Sequence, residues 1–269
     1  MDAQAFFFQK DSLLLTTAAP VSVTDPQTPL VYADLFPHSD IFTVNDLAGK
    51  TAITVVSVPP DAPLPPDLHP IPVRQAFTLI SCGVTEINNP ANRMLRAYHI
   101  AQWRKVSQYC GTCGGRNTDA PSELARLCPA CGRIEYPRIA PAVITVIVND
   151  QGQALLAHNA KFASGMYSLI AGFVEAGESL EAAVAREARE EVAIELRDIR
   201  YIASQPWPFS NSLMVGFTAR YASGTIRPDG VEIEDARWYS REDLPRLPGS
   251  GSISRYLIGL WYDGALQNA

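Results

Sequence analysis

Long apolar runs, a surplus of positive charge and a rich supply of cysteine are all missing from this 269-residue chain, and each absence narrows its function. The longest apolar run, Ile139 to Val148 with its proline, falls well short of the roughly 20 residues of a bilayer-spanning helix. No membrane-spanning helix or membrane partner is expected. The N-terminal stretch begins Met1-Asp2 and breaks its apolar runs at Gln9-Lys10-Asp11, without the basic segment and continuous core of a signal peptide. A cytoplasmic location is the expectation. A net charge of −6 argues against broad, non-specific binding to nucleic acid or anionic lipid, leaving only a local basic track such as Arg126, Arg133 and Arg138.

Five cysteines are present, and four fall into two C-x-x-C pairs. Cys110 and Cys113 are separated from Cys128 and Cys131 by fourteen residues, the spacing of a zinc ribbon in which each pair supplies two thiolates to tetrahedral Zn²⁺. Gly114 and Gly132 follow the pairs and suit tight turns. A closed four-thiolate site leaves no open position for substrate, so its role is structural. Cys82 is left over and reads as a small buried hydrophobe.

The most informative stretch is Gly172 to Ile194. Ser179 is a candidate N-cap, and Leu180, Val184, Ala188 and Val192 recur every fourth residue, which predicts an amphipathic helix. Glu187, Glu190 and Glu191 stand at i, i+3 and i+4, so their carboxylates are expected to converge. At about 100° per residue they centre roughly 80° from the apolar stripe, with Arg186 and Arg189 pointing further away. Clustered carboxylates on the shoulder of a buried stripe suit Mg²⁺ or Mn²⁺ with phosphate oxygens completing the shell. Glu178 reads as a residue that holds the preceding loop. Arg186 is expected to pair with one of the glutamates.

These residues resemble the signature of the Nudix hydrolases, G-x5-E-x7-R-E-U-x-E-E-x-G-U with U aliphatic, matching eight of its nine named positions. Ala193 stands where the family has Gly; either it takes a left-handed conformation at a cost of about 1 kcal/mol or the helix runs on by a residue. Further on, Ser204 to Ser212, SQPWPFSNS, resembles the S-Q-P-W-P-F-P-x-S array of the NADH pyrophosphatases, with Ser210 replacing the third proline. A zinc ribbon ahead of the catalytic domain belongs to the same subfamily.

The resemblance implies hydrolysis of the pyrophosphate of NADH or NAD⁺ to nicotinamide mononucleotide and AMP. It also implies a set of site residues. Glu187 and Glu191 are the first metal ligands, the backbone carbonyl of Ala171 a third, and Glu232 a later carboxylate reaching the metal, with Glu234 its decoy. Glu190 stays open between ligand and base. Gln205, Pro206, Trp207, Pro208, Phe209, Ser210, Asn211 and Ser212 would wrap the dinucleotide. Phe173 and Tyr136 would sandwich a base, with Tyr136 reaching from a partner subunit of a homodimer. Arg74, Glu123 and Ser254 match further substrate-contacting positions. His158, a lone histidine ending a strand, reads as structural. Two same-chemistry alternatives remain, removal of an NAD cap from RNA and a broader dinucleotide pyrophosphatase. A different class, a zinc-ribbon regulatory module with a retired catalytic domain, is disfavoured by the three intact glutamates.

The expected fold class is α+β, a Nudix α/β/α sandwich preceded by a small zinc ribbon and a strand-rich N-terminal domain. Residues 1–106 form the first part, with strands at Ser12 to Thr16, Leu30 to Ala33 and Thr51 to Val58, an extended connector from Pro59 to Pro72, and a helix from Asn92 to Val106. Residues 107–135 are the ribbon and 136–269 the catalytic domain. In the latter, Val143 to Val148 and Ala154 to His158 read as a hairpin. Strands follow near Ile199 to Ser204, Leu213 to Tyr221 and Ala236 to Tyr239, and a last helix spans Ile253 to Tyr262.

Overall fold

Phe6, Phe7 and Phe8 are fully buried in the computed structural model of the chain, which describes residues 4–16, 30–47, 49, 51–80, 84 and 90–268. A segment apolar on both faces suits a central strand. It forms β1 (Gln4–Gln9), and β2 (Ser12–Thr16), β3 (Asp40–Asn45), β4 (Ala52–Val58) and β5 (Leu68–Pro72) complete a sheet of order β3-β4-β1-β2-β5. Phe7 packs with Leu14, Phe36 and Val56 in one buried cluster. Phe8 meets Tyr98 of the long helix described next, ring centroids 5.5 Å apart.

Two expectations are corrected here. Leu30 to Ala33 is not a strand but part of a 3₁₀ turn, Leu30–Leu35, because Tyr32, Ala33 and Phe36 bury one face against the Phe7 cluster, which a two-residue period cannot do. The supposed connector Pro59 to Pro72 ends in β5, an edge strand, where Pro70 and Pro72 cost little because an edge need not donate on its outer side. Two helices follow, α1 (Val73–Ile80), burying Val73, Ala76, Phe77 and Ile80 at helical spacing, and α2 (Pro90–Val106). Cys82 lies outside the described residues.

The ribbon carries three two-residue strands, β6 (Thr118–Asp119), β7 (Arg126–Leu127) and β8 (Ile134–Glu135), paired in that order. It clusters with the N-terminal sheet into one compact unit, residues 1–82 and 86–139. Arg104 of α2 is a tie between them, bonding Asp40 of β3 at 2.7 Å and Asp119 of β6 at 2.5 Å, with its guanidinium 4.3 Å from the Phe42 ring centre.

Residues 83–85 and 140–269 form the other unit. Its elements are β9 (Ala140–Val148), β10 (Ala154–Asn159), β11 (Ile170–Phe173), α3 (Leu180–Val192), β12 (Ile194–Trp207), β13 (Ser212–Gly224), β14 (Ile233–Tyr239) and α4 (Ile253–Tyr262). The mixed sheet runs β12-β13-β9-β10-β14, with β11 also paired to β9 and the β13–β9 pair parallel. Alternation along β9 feeds two cores. Val143 and Ile147 face α3 through Ala183, Val184, Ala188 and Val192, whereas Ile144, Val146 and Val148 face α4 through Ile253, Leu257 and Trp261. The hairpin expected of β9 and β10 shrinks to a single pair, Ala154 opposite Val148, and β10 pairs mainly with β14. Among the described residues, no helix is long and apolar enough to cross a membrane.

Candidate active site and zinc centre

In the ribbon each C-x-x-C turn is closed by backbone bonds. Gly114 N–H reaches the Cys110 carbonyl at 2.9 Å and Gly132 N–H the Cys128 carbonyl at 2.8 Å, with φ of 74° and 75° that glycine tolerates. The turns bring the sulfurs of Cys110 and Cys131 to 3.6 Å and those of Cys113 and Cys128 to 3.5 Å. Tetrahedral Zn–S bonds of about 2.3 Å set sulfurs roughly 3.8 Å apart, so the four thiols fit zinc. The backbone N–H groups of Thr112 and Cys113 lower the Cys110 thiol to about 6, which favours the ligating thiolate.

The helix that carries the box in the second unit starts as its sequence requires. Ser179 caps it, its hydroxyl accepting from Ala182 N–H at 3.2 Å. At the other end Ala193 takes the left-handed conformation itself, φ 58° and ψ 37°, settling the question its substitution for glycine raised.

Arg186 is the hub of the box. Far from pointing outward, its side chain is only 19% exposed and donates to Glu178 at 2.9 and 3.0 Å, to Glu187 at 2.8 Å, to Glu190 at 2.9 Å and to the Phe173 carbonyl at 2.8 Å. Glu178 also accepts from Glu175 N–H, so it holds the loop as expected, and its bond to Arg186 keeps its carboxyl below the ordinary value.

The three glutamates do not converge as tightly as their spacing implied. Among the described residues, the four cysteines are the only set of three or more His, Cys, Asp or Glu ligand atoms within 4.8 Å of one another. Glu190, 59% exposed, turns outward to Arg186, while Glu191 sinks to 6% exposure and Glu187 lies between. Neighbouring positions 100° apart on a helix separate Glu190 from Glu191, and Arg186 binds the two outer carboxylates.

Glu191 has the features of a cation ligand. Its Oε2 is buried without a hydrogen-bond partner, and a buried orphan oxygen is costly unless something positive meets it. Desolvation first, then the charges of Glu187, Glu232 and Asp229, push its carboxyl up to about 8, against a bond from the Ala171 backbone. Desolvation likewise raises Glu187. The carboxylate of Glu187 lies over Gly172, where an added Cβ would stand 2.0 Å from Oε1. That contact explains the glycine opening the box. The orphan oxygen of Glu191, with the charges of Glu187 and Glu232 acting on it, is the feature that would receive a divalent cation, with Glu190 further out.

The array residues split between surface and core. Trp207 and Phe209 pack edge to face, centroids 5.0 Å apart, across the end of β12 and a 3₁₀ turn, Pro208–Ser210. Ser210, in place of the third proline, hydrogen-bonds Ser212 at 2.8 Å, and Asn211, at φ 53°, passes its carbonyl to Ala140 N–H at 2.7 Å. Pro206 is exposed and Pro208 buried. Gln205 faces inward: its amide donates to the Gly251 carbonyl and accepts from Ile253 N–H, both at 2.8 Å, fastening β12 to the start of α4. Ser254 is buried against Ser168 at 2.8 Å. Phe173 is 52% exposed although Arg186 fixes its backbone. In the other unit, Tyr136 donates to Glu123 at 3.2 Å, and Arg74 sits exposed on α1. His158 bonds the Met166 carbonyl and approaches Glu234 at 3.7 Å, a structural setting.

Residues 138–258 match the NUDIX domain model. That stretch of the chain is a Nudix domain. Residues 106–136 match the NADH pyrophosphatase zinc ribbon domain, so ribbon and Nudix domain adjoin in the sequence. A curated relative from Stutzerimonas stutzeri, an "NAD-capped RNA hydrolase NudC", is 50% identical over 61% of this chain and 59% of its own length. A protein of the same name from Pseudomonas fluorescens is 47% identical over 64% of this chain and 62% of its own. The chain therefore spans about three-fifths of the relatives it matches. A solved Nudix hydrolase from Nitrosomonas europaea shares the fold, with a TM-score of 0.50 at 21% identity over 60% of this chain and 93% of that one.

Proposed function

We propose that this Nudix-domain protein hydrolyses the pyrophosphate bond of NADH or NAD⁺, giving nicotinamide mononucleotide (reduced or oxidised) and AMP. The observation that carries the reading is the ribbon, whose match is to a domain named for NADH pyrophosphatases and stands directly before the Nudix domain. A water oxygen bonds to one phosphorus, the bridging P–O bond breaks, and two phosphate monoesters leave with release of a proton. A divalent cation held by Glu187, Glu191 and Glu232, with the Ala171 carbonyl, would supply charge neutralisation and a more acidic water. Arg186 keeps Glu187 oriented, and Glu190 is available as ligand or base. Phe173, with its exposed ring on a fixed backbone, and the Trp207–Phe209 pair offer flat apolar surfaces for the rings of a dinucleotide. Asn211 and Ser212 lie in the same turn. Gln205 and Ser254 enter as supports of that wall, since their polar atoms are engaged internally. Arg74, Glu123 and Tyr136 enter from the family resemblance.

The same reading divides the chain into an N-terminal module (1–106), a ribbon (107–135) and a catalytic domain (136–269), places it in the cytoplasm and makes it a homodimer. Incubation with NADH and Mg²⁺ or Mn²⁺, followed by chromatography, should yield equimolar AMP and reduced nicotinamide mononucleotide, with Glu191→Gln inactive. No cleavage with either metal would sink NADH as substrate. A second reading, removal of the NAD cap from RNA, is favoured by the names of the relatives. Competition between free NADH and capped RNA ranks the two.

A further inference from the structure

Asp229 belongs to no part of the Nudix signature, yet it is bonded to the backbone of two proposed metal ligands. It sits in Pro228-Asp229-Gly230, a turn signature in which glycine supplies the positive φ, here 71°. Its Oδ1 accepts from the N–H groups of Val231 at 3.1 Å, Glu232 at 3.1 Å and Ile233 at 2.8 Å, and Oδ2 takes a further bond from Glu232 at 3.2 Å. The segment bearing Glu232 is thereby wound around one carboxylate. In the other direction, Asp229 N–H donates to the Glu191 carbonyl at 3.1 Å, and Arg227 N–H to the Val192 carbonyl at 3.0 Å. The loop hangs from the last turn of α3, the turn that carries Glu191. A third tie, Ala160 N–H to the Glu232 carbonyl at 2.9 Å, holds the far side.

We propose that Asp229 is a positioning residue that fixes Glu232 against Glu191, so that the two carboxylates are offered to one divalent cation. The proposal rests on the reading of Glu232 as a metal ligand given above. Asp229 acts through its acceptor oxygens on the backbone. Its charge is not the working element, so an asparagine, which keeps one acceptor oxygen, should substitute for it.

The test titrates the zinc-loaded full chain with Mn²⁺ alone and reads free Mn²⁺ by electron paramagnetic resonance. Asp229→Ala is expected to weaken Mn²⁺ binding by about 10–100-fold, the usual effect of removing a group that orients a ligand, and Glu232→Gln, which removes the ligand itself, by at least as much. The double variant should bind no more weakly than Glu232→Gln, because Asp229 has nothing left to position. Asp229→Asn should recover most of the affinity and also keeps the test open if the alanine variant folds poorly. A double variant that loses the full product of both effects would overturn the proposal, as would an asparagine variant as weak as alanine. An effect of Glu232→Gln with none from Asp229→Ala sinks the role of Asp229 alone. No effect from Glu232→Gln removes Glu232 from the metal site itself and this inference with it.

Discussion

The ribbon and the box each gather acidic ligands for a cation, but by different means. In the ribbon, four thiols on short side chains are brought within 4.8 Å of one another by two glycine-closed turns. On α3, the glutamates are spread by the helix itself, and Arg186 binds two of them while Glu191 lies buried with an unpartnered oxygen. A soft, closed site can be finished within some twenty residues of local backbone. The proposed hard site would draw on β11, α3 and the Glu232 loop, with phosphate oxygens completing its shell. Rigidity belongs to the structural centre and openness to the proposed catalytic one.

That contrast is broken most severely at the ribbon. Cys128→Ser should abolish zinc binding and unfold the ribbon, since structural zinc contributes about 10–16 kcal/mol to the folding of small ribbons and fingers. Zinc content and limited proteolysis of residues 107–135 read this, with the melting transition of the catalytic unit expected to persist. A variant that keeps one zinc per chain would contradict it.

At the box the expected losses are in function and not in folding. Glu191→Gln should lower turnover by about 10²–10⁴-fold. Without added divalent cation it should nonetheless be the more stable protein at high pH. The Glu191 carboxyl is raised to about 8 in the fold, against about 4.3 in an unfolded chain, so the folded state holds the proton more tightly. Its stabilising contribution is complete below the unfolded value and is lost as pH rises through the folded one. Thermal melts of parent and variant should therefore diverge in the variant's favour between about pH 5 and 8. Parallel curves would show that burial of Glu191 carries no such penalty.

Smaller effects sharpen the picture. Gly172→Ala forces the Glu187 carboxylate from its seat, because the new Cβ would lie 2.0 Å from it. The atom displaced is the end of a flexible side chain, so little change in melting temperature is expected beside a fall in kcat of roughly 10–100-fold. Ala193→Gly should stabilise the unit by about 1 kcal/mol with turnover unchanged, since the position is already left-handed at φ 58°. Denaturant unfolding checks the last prediction, and a destabilised variant would refute it.

Legibility followed the range of the interactions. The zinc ligands, the Ser179 cap and the box are local patterns, and α3, α4 and the long strands of the second unit were readable from periodicity. What was missed depends on partners distant in sequence. Phe6 to Phe8 reads as a strand only once α2 and Phe36 cover both its faces, and β5 is a strand because β2 offers it an edge. Gln205 looked like part of a ligand-binding array, but its amide is spent 46 and 48 residues away. The glutamates' convergence was overread because spacing alone does not reveal that Arg186 draws Glu187 and Glu190 to one nitrogen while Glu191 is buried away from it.

The most direct test of the account follows both metals through one turnover assay. Zinc-loaded full chain is given NADH, first without added cation, then with Mn²⁺, then after gel filtration. The account predicts no AMP in the first sample, equimolar AMP and reduced nicotinamide mononucleotide in the second, and loss of activity in the third with one zinc per chain retained. Cleavage supported by the ribbon zinc alone, or none with Mn²⁺ or Mg²⁺, would contradict it.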